Sequence, residues 1–474
     1  MTGIRIAGGA RRTFGCALIV LFLAGCVSFS EDGGFGTVQS VAHERLGRKT
    51  SWVKSEKDAD AVRHEVKKLL GGPLTSDTAV QIALLNNRGL QATYFELGIA
   101  EADLVQAGRL RNPGFVFERL SGGGVVEIER TFLFDLLGLL TMPVRTDLER
   151  RRFAVVQQQV AAELLQVAAD TRRAYYRALA AHEGARYMEQ VKVSAEASAE
   201  LARRMAAAGN FSKLDEAREQ VFYAEVTAQL ARVRQAAVSE REQLTRMLGL
   251  WGEDIVFRLP ERLPELPKGM RDFSNLEANA LKQRLDVQAA LKEAERIAAS
   301  MGLVKVTGVI DVLEVGYRRN SVSGEPRVTG YEIGLHLPIF DWGDARVARA
   351  EFSYMQAVNR AADLAVRARS EVREAYAAYR TTYDLARHYR DEIVPLRKRV
   401  SEENLLRYNG MLISIFELLA DARQQIAAVN ASIDALRDFW VADASLQLAM
   451  TGKSPGAMNL AGGLDAMPAG AAGH

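Results

Sequence analysis

The sequence predicts a mainly helical protein with membrane-type β-strands. It is read as a duplicated unit in which a helix, a β-hairpin, a very long helix and a return helix follow one another. Three observations predict this. Residues 331–337 (Tyr-Glu-Ile-Gly-Leu-His-Leu) alternate between apolar and polar or small side chains, the period of a strand with two unlike faces. After Asp341-Trp342-Gly343, about 65 residues rich in Ala, Arg, Glu and Leu run to Asn409-Gly410, which at 1.5 Å per residue is a helix of roughly 95 Å. Pro395 is its only internal proline and the expected kink. The arrangement also occurs twice: Arg172-Arg173-Ala174-Tyr175 returns as Arg373-Glu374-Ala375-Tyr376, Gly209 returns as Gly410, and Leu90-Gln91-Ala92 returns as Val287-Gln288-Ala289. A repeat of this length is a tandem duplication, since solenoid units recur every ~20–50 residues.

Composition removes several function classes. Among 474 residues, Lys+Arg (61) nearly balance Asp+Glu (59), which leaves no electrostatic case for nucleic acid. The two cysteines, Cys16 and Cys26, lie in or at the end of a leader, so neither a disulfide framework nor a thiolate metal cluster is available. The six histidines are scattered, and His182-Glu183-Gly184-Ala185-Arg186 lacks the second histidine of a zinc-protease helix. Gly122-Gly123-Gly124 has no phosphate-site lysine. The chain is therefore read as not an enzyme, with no cofactor and no metal site.

Taken in order, residues 1–25 read as a signal peptide: Arg5, Arg11 and Arg12 precede an apolar run, 14–24, too short to span a bilayer. Leu23-Ala24-Gly25-Cys26 resembles the bacterial lipobox, which implies cleavage before Cys26, lipidation of its thiol (palmitate among the acyl chains) and export to the outer membrane. Residues 26–73 form a lipidated N-terminal segment with one short helix, 58–70; Trp52 reads as either an interfacial anchor or packing. The first repeat, 74–250, opens on a helix capped by Thr75, Ser76 or Asp77. Its β-hairpin, about 114–142, holds strands at 114–120 and 125–140 around Ser121-Gly122-Gly123-Gly124. In the second strand Val126, Ile128, Phe132, Phe134 and Leu136 share one face, and Glu127, Glu129, Thr131 and Asp135 the other, as in a barrel strand with lipid outside and water inside.

Pro143 is expected to close that strand before a long helix, 145–208, which Gly209-Asn210 ends. A return helix capped by Ser212 follows. Residues 251–272, with Pro260, Pro264 and Pro267, form an equatorial link. The second repeat, 273–452, replays the first, with a helix at 274–300, a β-hairpin at about 303–338 (strands 303–317 and 327–337), the long helix, and a return helix after Ser414. Residues 453–474 read as a flexible tail.

Four strands cannot close on themselves, since the smallest membrane barrels need about eight. Open edges in hydrocarbon cost several kcal/mol per unpaired group, so if these strands enter a membrane several chains must share one barrel. The motifs Leu337-Pro338-Ile339-Phe340-Asp341-Trp342-Gly343, Ala208-Gly209-Asn210-Phe211-Ser212 and Arg407-Tyr408-Asn409-Gly410 leading into Glu417-Leu418-Leu419 resemble those of the TolC-like outer-membrane efflux family, over residues 74–452. The resemblance implies a homotrimer, each chain one third of a trimeric α-barrel in the periplasm plus a 12-stranded β-barrel in outer-membrane lipid. It further implies an exit duct of a tripartite pump, with a periplasmic adaptor (membrane fusion protein) and an inner-membrane transporter of the RND type as partners. Two departures stand out: Leu285 occupies a position where many members have proline, and Tyr408-Asn409-Gly410 is one residue shorter than the usual turn.

By that resemblance, Gly209, Asn210, Ser212, Leu214, Asn409, Gly410 and Ser414 form the adaptor-contact tip, with Gly209 and Gly410 expected in left-handed conformation. Asp215, Glu417 and Asp421 supply the acidic side of a periplasmic gate, and Arg218, Arg407 and Arg423 the basic side. Glu127, Glu129, Asp135 and Glu332 are expected to face the barrel lumen and favour cations. Tyr376, Tyr379 and Tyr383 recur at helical spacing and are read as core. Two other functions fit the same pattern: a type I-like protein-secretion duct, and a lipid-anchored coiled-coil adaptor or scaffold without a pore.

Overall fold

The computed structural model describes residues 28–273, 275–307 and 312–456; Cys26 with the leader, and the tail beyond Gly456, lie outside them. The described residues are mostly helical with one four-stranded antiparallel sheet. They divide into two compact units. Among the described residues, one contains 28–38 with Tyr94–Val160 and Gln288–Leu364; the other contains Gln39–Thr93, Ala161–Val287 and 365–456.

The N-terminal segment forms two helices where the sequence predicts one: α1 (Gly36–Leu46) and α2 (Glu56–Leu69), the latter at the expected place. Ser55 caps α2 in a reciprocal box with Asp58, which satisfies donors the helix itself leaves open. Trp52 is buried with the Lys54 ammonium 3.9 Å from its ring centre, so it is packing and not an interfacial anchor.

In each repeat the entering helix is broken at an equivalent residue. Helix α3 (Ser76–Asn86), capped by Thr75, gives way at the extended Asn87 to α4 (Arg88–Ala107). Likewise α7 (Leu276–Gln283) gives way at the extended Arg284 to α8 (Leu285–Thr307). Each return helix ends against such a break. The Asn86 side chain donates to the Leu248 and Gly249 carbonyls that end α6 (Lys213–Leu248). The Gly452 carbonyl, just past α11 (Ile415–Thr451), accepts from the Leu285 amide that opens α8. The breaks were not read from the sequence: Leu285 opens α8 at the first helical position, where proline is tolerated, but a leucine there carries no such signal.

The sheet is β1 (Gly114–Gly122), β2 (Val125–Asp135), β3 (Leu313–Val322) and β4 (Val328–Leu335), paired in that order. The two hairpins thus join through β2 and β3, leaving β1 and β4 as open edges.

Two strand boundaries differ from expectation. The strand expected over 125–140 stops at Asp135, whose carboxylate accepts from the Gly138 amide at 2.6 Å. Residues 136–140 then begin the 72-residue helix α5 (Leu136–Ala207), with Pro143 inside it. An unalternating apolar run does not distinguish strand from helix. Residues 303–307, expected as strand, continue α8, with the Thr307 hydroxyl donating to the Leu303 carbonyl and Lys305 paired to Glu351. Residues 308–311 lie outside the description.

The second long helix is α9 (Asp344–His388), a π-helical turn (Tyr389–Ile393) and α10 (Val394–Asn409). The irregularity expected at Pro395 is this turn, which absorbs one residue just ahead of the proline. Tyr379 and Tyr383 are buried against Phe439 as core.

Candidate functional site

Strand register sorts the sheet's side chains onto two faces, because directly paired residues point the same way. One face carries Glu118, Glu127, Glu129, Asp135, Glu314 and Glu332, with Arg318 as its one base among the described strand residues. The four acids singled out in the sequence therefore share a face, and two more, Glu118 and Glu314, join them. Both lie inside the strands expected from the sequence, but which face each shares with the other acids is set by the cross-strand register. Arg318 pairs with Glu129, and the Asn320 amide donates to Glu127 at 2.6 Å. Asp135 is additionally held by Arg111 at 3.1 Å.

The opposite face is apolar near the helices. Leu313 pairs with Leu335, and Phe134, Val315 and Ile333 form the next row. Phe115, Phe132, Tyr317 and Tyr331 then make an unbroken aromatic row across all four strands. Ring centres are 4.9 Å apart for Phe115–Phe132 and 6.1 Å for Tyr317–Tyr331. Tyr331 is 86% exposed, and beyond the strand Phe340 is 99% exposed. Water does not favour such a surface, whereas membrane barrels present one to lipid.

The two helix–helix turns have closely matching hydrogen bonds. In the first, Gly209 has φ 78° and the Asn210 amide reaches back to the Met205 carbonyl. In the second the left-handed residue is Met411 (φ 55°), and the Leu412 amide reaches the Arg407 carbonyl. Gly410, expected to be left-handed, has φ −82° and ends α10. The structural equivalent of Gly209 is therefore Met411, one residue beyond the glycine that the motif alignment matched. Ser212 and Ser414 cap the return helices, accepting from the Asp215 and Glu417 amides.

Comparison with protein-family models finds no match, and no curated protein matches. Solved structures do. The CmeC outer membrane channel of Campylobacter jejuni superposes with a TM-score of 0.68 at 14% identity, covering 89% of this chain and 93% of that one. The fold is that of TolC-like outer-membrane channels. The MtrE outer membrane channel of Neisseria gonorrhoeae in its open state gives 0.66 at 17% identity, over 80% of this chain and 89% of that one. CusC gives 0.66 at 17%, over 80% and 92%. At such identities the TolC-like backbone path is what is shared.

On this TolC-like frame the charges near the turns pair locally. Asp215 pairs with Arg218 at 3.5 Å and Arg407 with Glu403 at 3.3 Å. Arg423 lies 4.0 Å from Glu219 and over the Phe222 ring at 4.3 Å. Glu219, 2% exposed and accepting from the Ser198 hydroxyl, was not anticipated. Asp421 is buried, whereas Glu417 is exposed. Hydrogen bonds from Arg204 and Arg203 hold the neighbouring Glu200 carboxyl below its usual range. Leu214, Val221, Leu419 and Arg423 line a groove of about 480 Å³ between α6 and α11. Among the described residues no His, Cys, Asp and Glu cluster could hold a metal ion.

Proposed function

We propose that the chain is the outer-membrane exit duct of a tripartite efflux pump, three copies closing their four-stranded sheets into one twelve-stranded barrel. The observation that carries this reading is the sheet: two open edges, an apolar and aromatic face, and an acid-lined face opposite. Open edges are untenable in hydrocarbon unless neighbours pair with them. Within β4 the exposed Tyr331, Ile333 and Leu335 follow at every second position, and the exposed Leu337, Ile339 and Phe340 continue the apolar surface beyond the strand, as lipid-facing barrel surfaces do. In this reading the chain is a lipoprotein anchored through Cys26, its helical unit lies in the periplasm, and small toxic compounds or metal ions pass through passively. The turns at Gly209–Ser212 and Asn409–Ser414, with the groove beside Leu214, receive a periplasmic adaptor. Asp215, Arg218, Arg407, Glu417, Asp421 and Arg423, now with Glu219, narrow that end.

The test is conductance of the purified full-length protein in planar bilayers, beside a variant lacking residues 114–135. Discrete channel steps from the first alone support the duct. Steps from neither, with both proteins folded by circular dichroism, favour the pore-less scaffold.

A further inference from the structure

Above the aromatic row, toward the hairpin turns, the same outward face turns basic. Phe117, Arg130, Arg319 and Thr329 form the next row, and Arg119 with Ile128 and Ser321 the one after. Arg130 and Arg319 are directly opposed, and Arg119 lies diagonally from Arg130, distances over which like charges repel. Among the described residues, none of the three guanidinium groups pairs with a carboxylate. The sheet's acids project from the other face, so they cannot neutralise this patch. Arg119 and Arg319 are exposed, and Arg130 reaches over the Phe117 ring at 5.8 Å.

A repulsive trio on a lipid-facing surface calls for an anion from outside the chain. Its position, one row beyond an aromatic girdle, is the membrane interface, where arginine is tolerated and headgroups lie. We infer that Arg119, Arg130 and Arg319 bind the phosphate of an anionic lipid headgroup in the leaflet on the hairpin-turn side. Guanidinium forks suit phosphate oxygens, the Phe117 face steadies Arg130, and the aromatic row beneath contacts the acyl chains. The inference rests on the barrel reading above.

The test reconstitutes the full-length protein in phosphatidylcholine nanodiscs doped with diphosphoryl lipid A and counts retained lipid by native mass spectrometry. The Arg119→Gln, Arg130→Gln, Arg319→Gln triple variant is expected to retain on the order of fivefold less. Substituting lysine at the same three positions keeps the charge and restores part of the retention. A large excess of inorganic phosphate leaves retention unchanged. Equal retention by the glutamine variant, with its channel conductance intact, overturns the lipid site; so does displacement by inorganic phosphate, which marks a free-anion site. Absence of any conductance from the unmodified protein overturns the barrel reading, and the lipid site with it.

Discussion

Met411 holds a backbone conformation that in its sister turn belongs to a glycine, and it does so with a side chain that is 93% exposed. A side chain at positive φ costs roughly 1 kcal/mol, and here no buried contact returns it. Met411→Gly is therefore expected to stabilise the second turn by about 0.5–1 kcal/mol, read as slower backbone amide exchange at residues 405–415. Unchanged or faster exchange would show that the turn depends on the side chain. Arg284 is the opposite case, a fully buried charge held by Asp286 at 2.6 Å and Glu371 at 2.7 Å. Burial pulls its guanidinium down, but hydrogen bonds and charge from the two acids outweigh that and leave it above its usual range. Arg284→Met strands both carboxylates and is expected to cost about 3 kcal/mol in denaturant unfolding, with Arg284→Lys recovering only part because one ammonium cannot serve both partners. A loss under about 1 kcal/mol would mean that water satisfies the acids instead.

At the scale of elements, the long helices and the places where they turn back are legible because long Ala-rich runs and Gly-Asn breaks are local signals, whereas α1 and the breaks at Asn87 and Arg284 are not. The errors fell where local signals are degenerate. Residues 136–140 and 303–307 are largely apolar or β-branched runs that either structure accepts; the Asp135 carboxylate accepts from Gly138 at the start of one, and Lys305 pairs with Glu351 from the other. Gly410 was matched by its identity, whereas the hydrogen bonds align Met411. At the candidate site, the shared face of Glu127, Glu129 and Asp135 is legible in alternation, but Glu219, the aromatic row and the arginine trio are not. They depend on which strands and helices become neighbours. The π-helical turn Tyr389–Ile393 gives a prediction at this scale. Such a turn holds one residue more than a regular α-helical path. Deleting the exposed Asp391 should restore regular geometry and preserve the register of α10 against α11. Deleting Arg380 from regular helix rotates everything downstream by about 100°. Thermal unfolding is expected to separate the two variants by roughly 5 °C or more in favour of the Asp391 deletion. Equal losses would show that the turn is itself required.

The whole molecule turns on the sheet's two faces acting together. In the proposed barrel, lipid lies against one face of the sheet and water against the other, and closure by three chains would gather the six acids of each around a single lumen. Arg318 and Asn320 engage Glu129 and Glu127 without cancelling the excess. A ring of carboxylates in a narrow aqueous passage concentrates cations and repels anions. The channel is therefore expected to be cation-selective. Combining Glu127→Gln, Glu129→Gln, Asp135→Asn and Glu332→Gln should reduce the cation-to-anion permeability ratio by on the order of threefold, read from the reversal potential across a potassium chloride gradient. Screening gives the same prediction a second edge. The Debye length falls from ~10 Å at 0.1 M salt to ~3 Å at 1 M, so the preference of the unmodified channel should weaken at high salt, while the variant changes little. Selectivity indifferent to both the substitutions and the salt would mean that the acid-bearing face does not line the conducting path, and the inside and outside of the sheet would have to be exchanged.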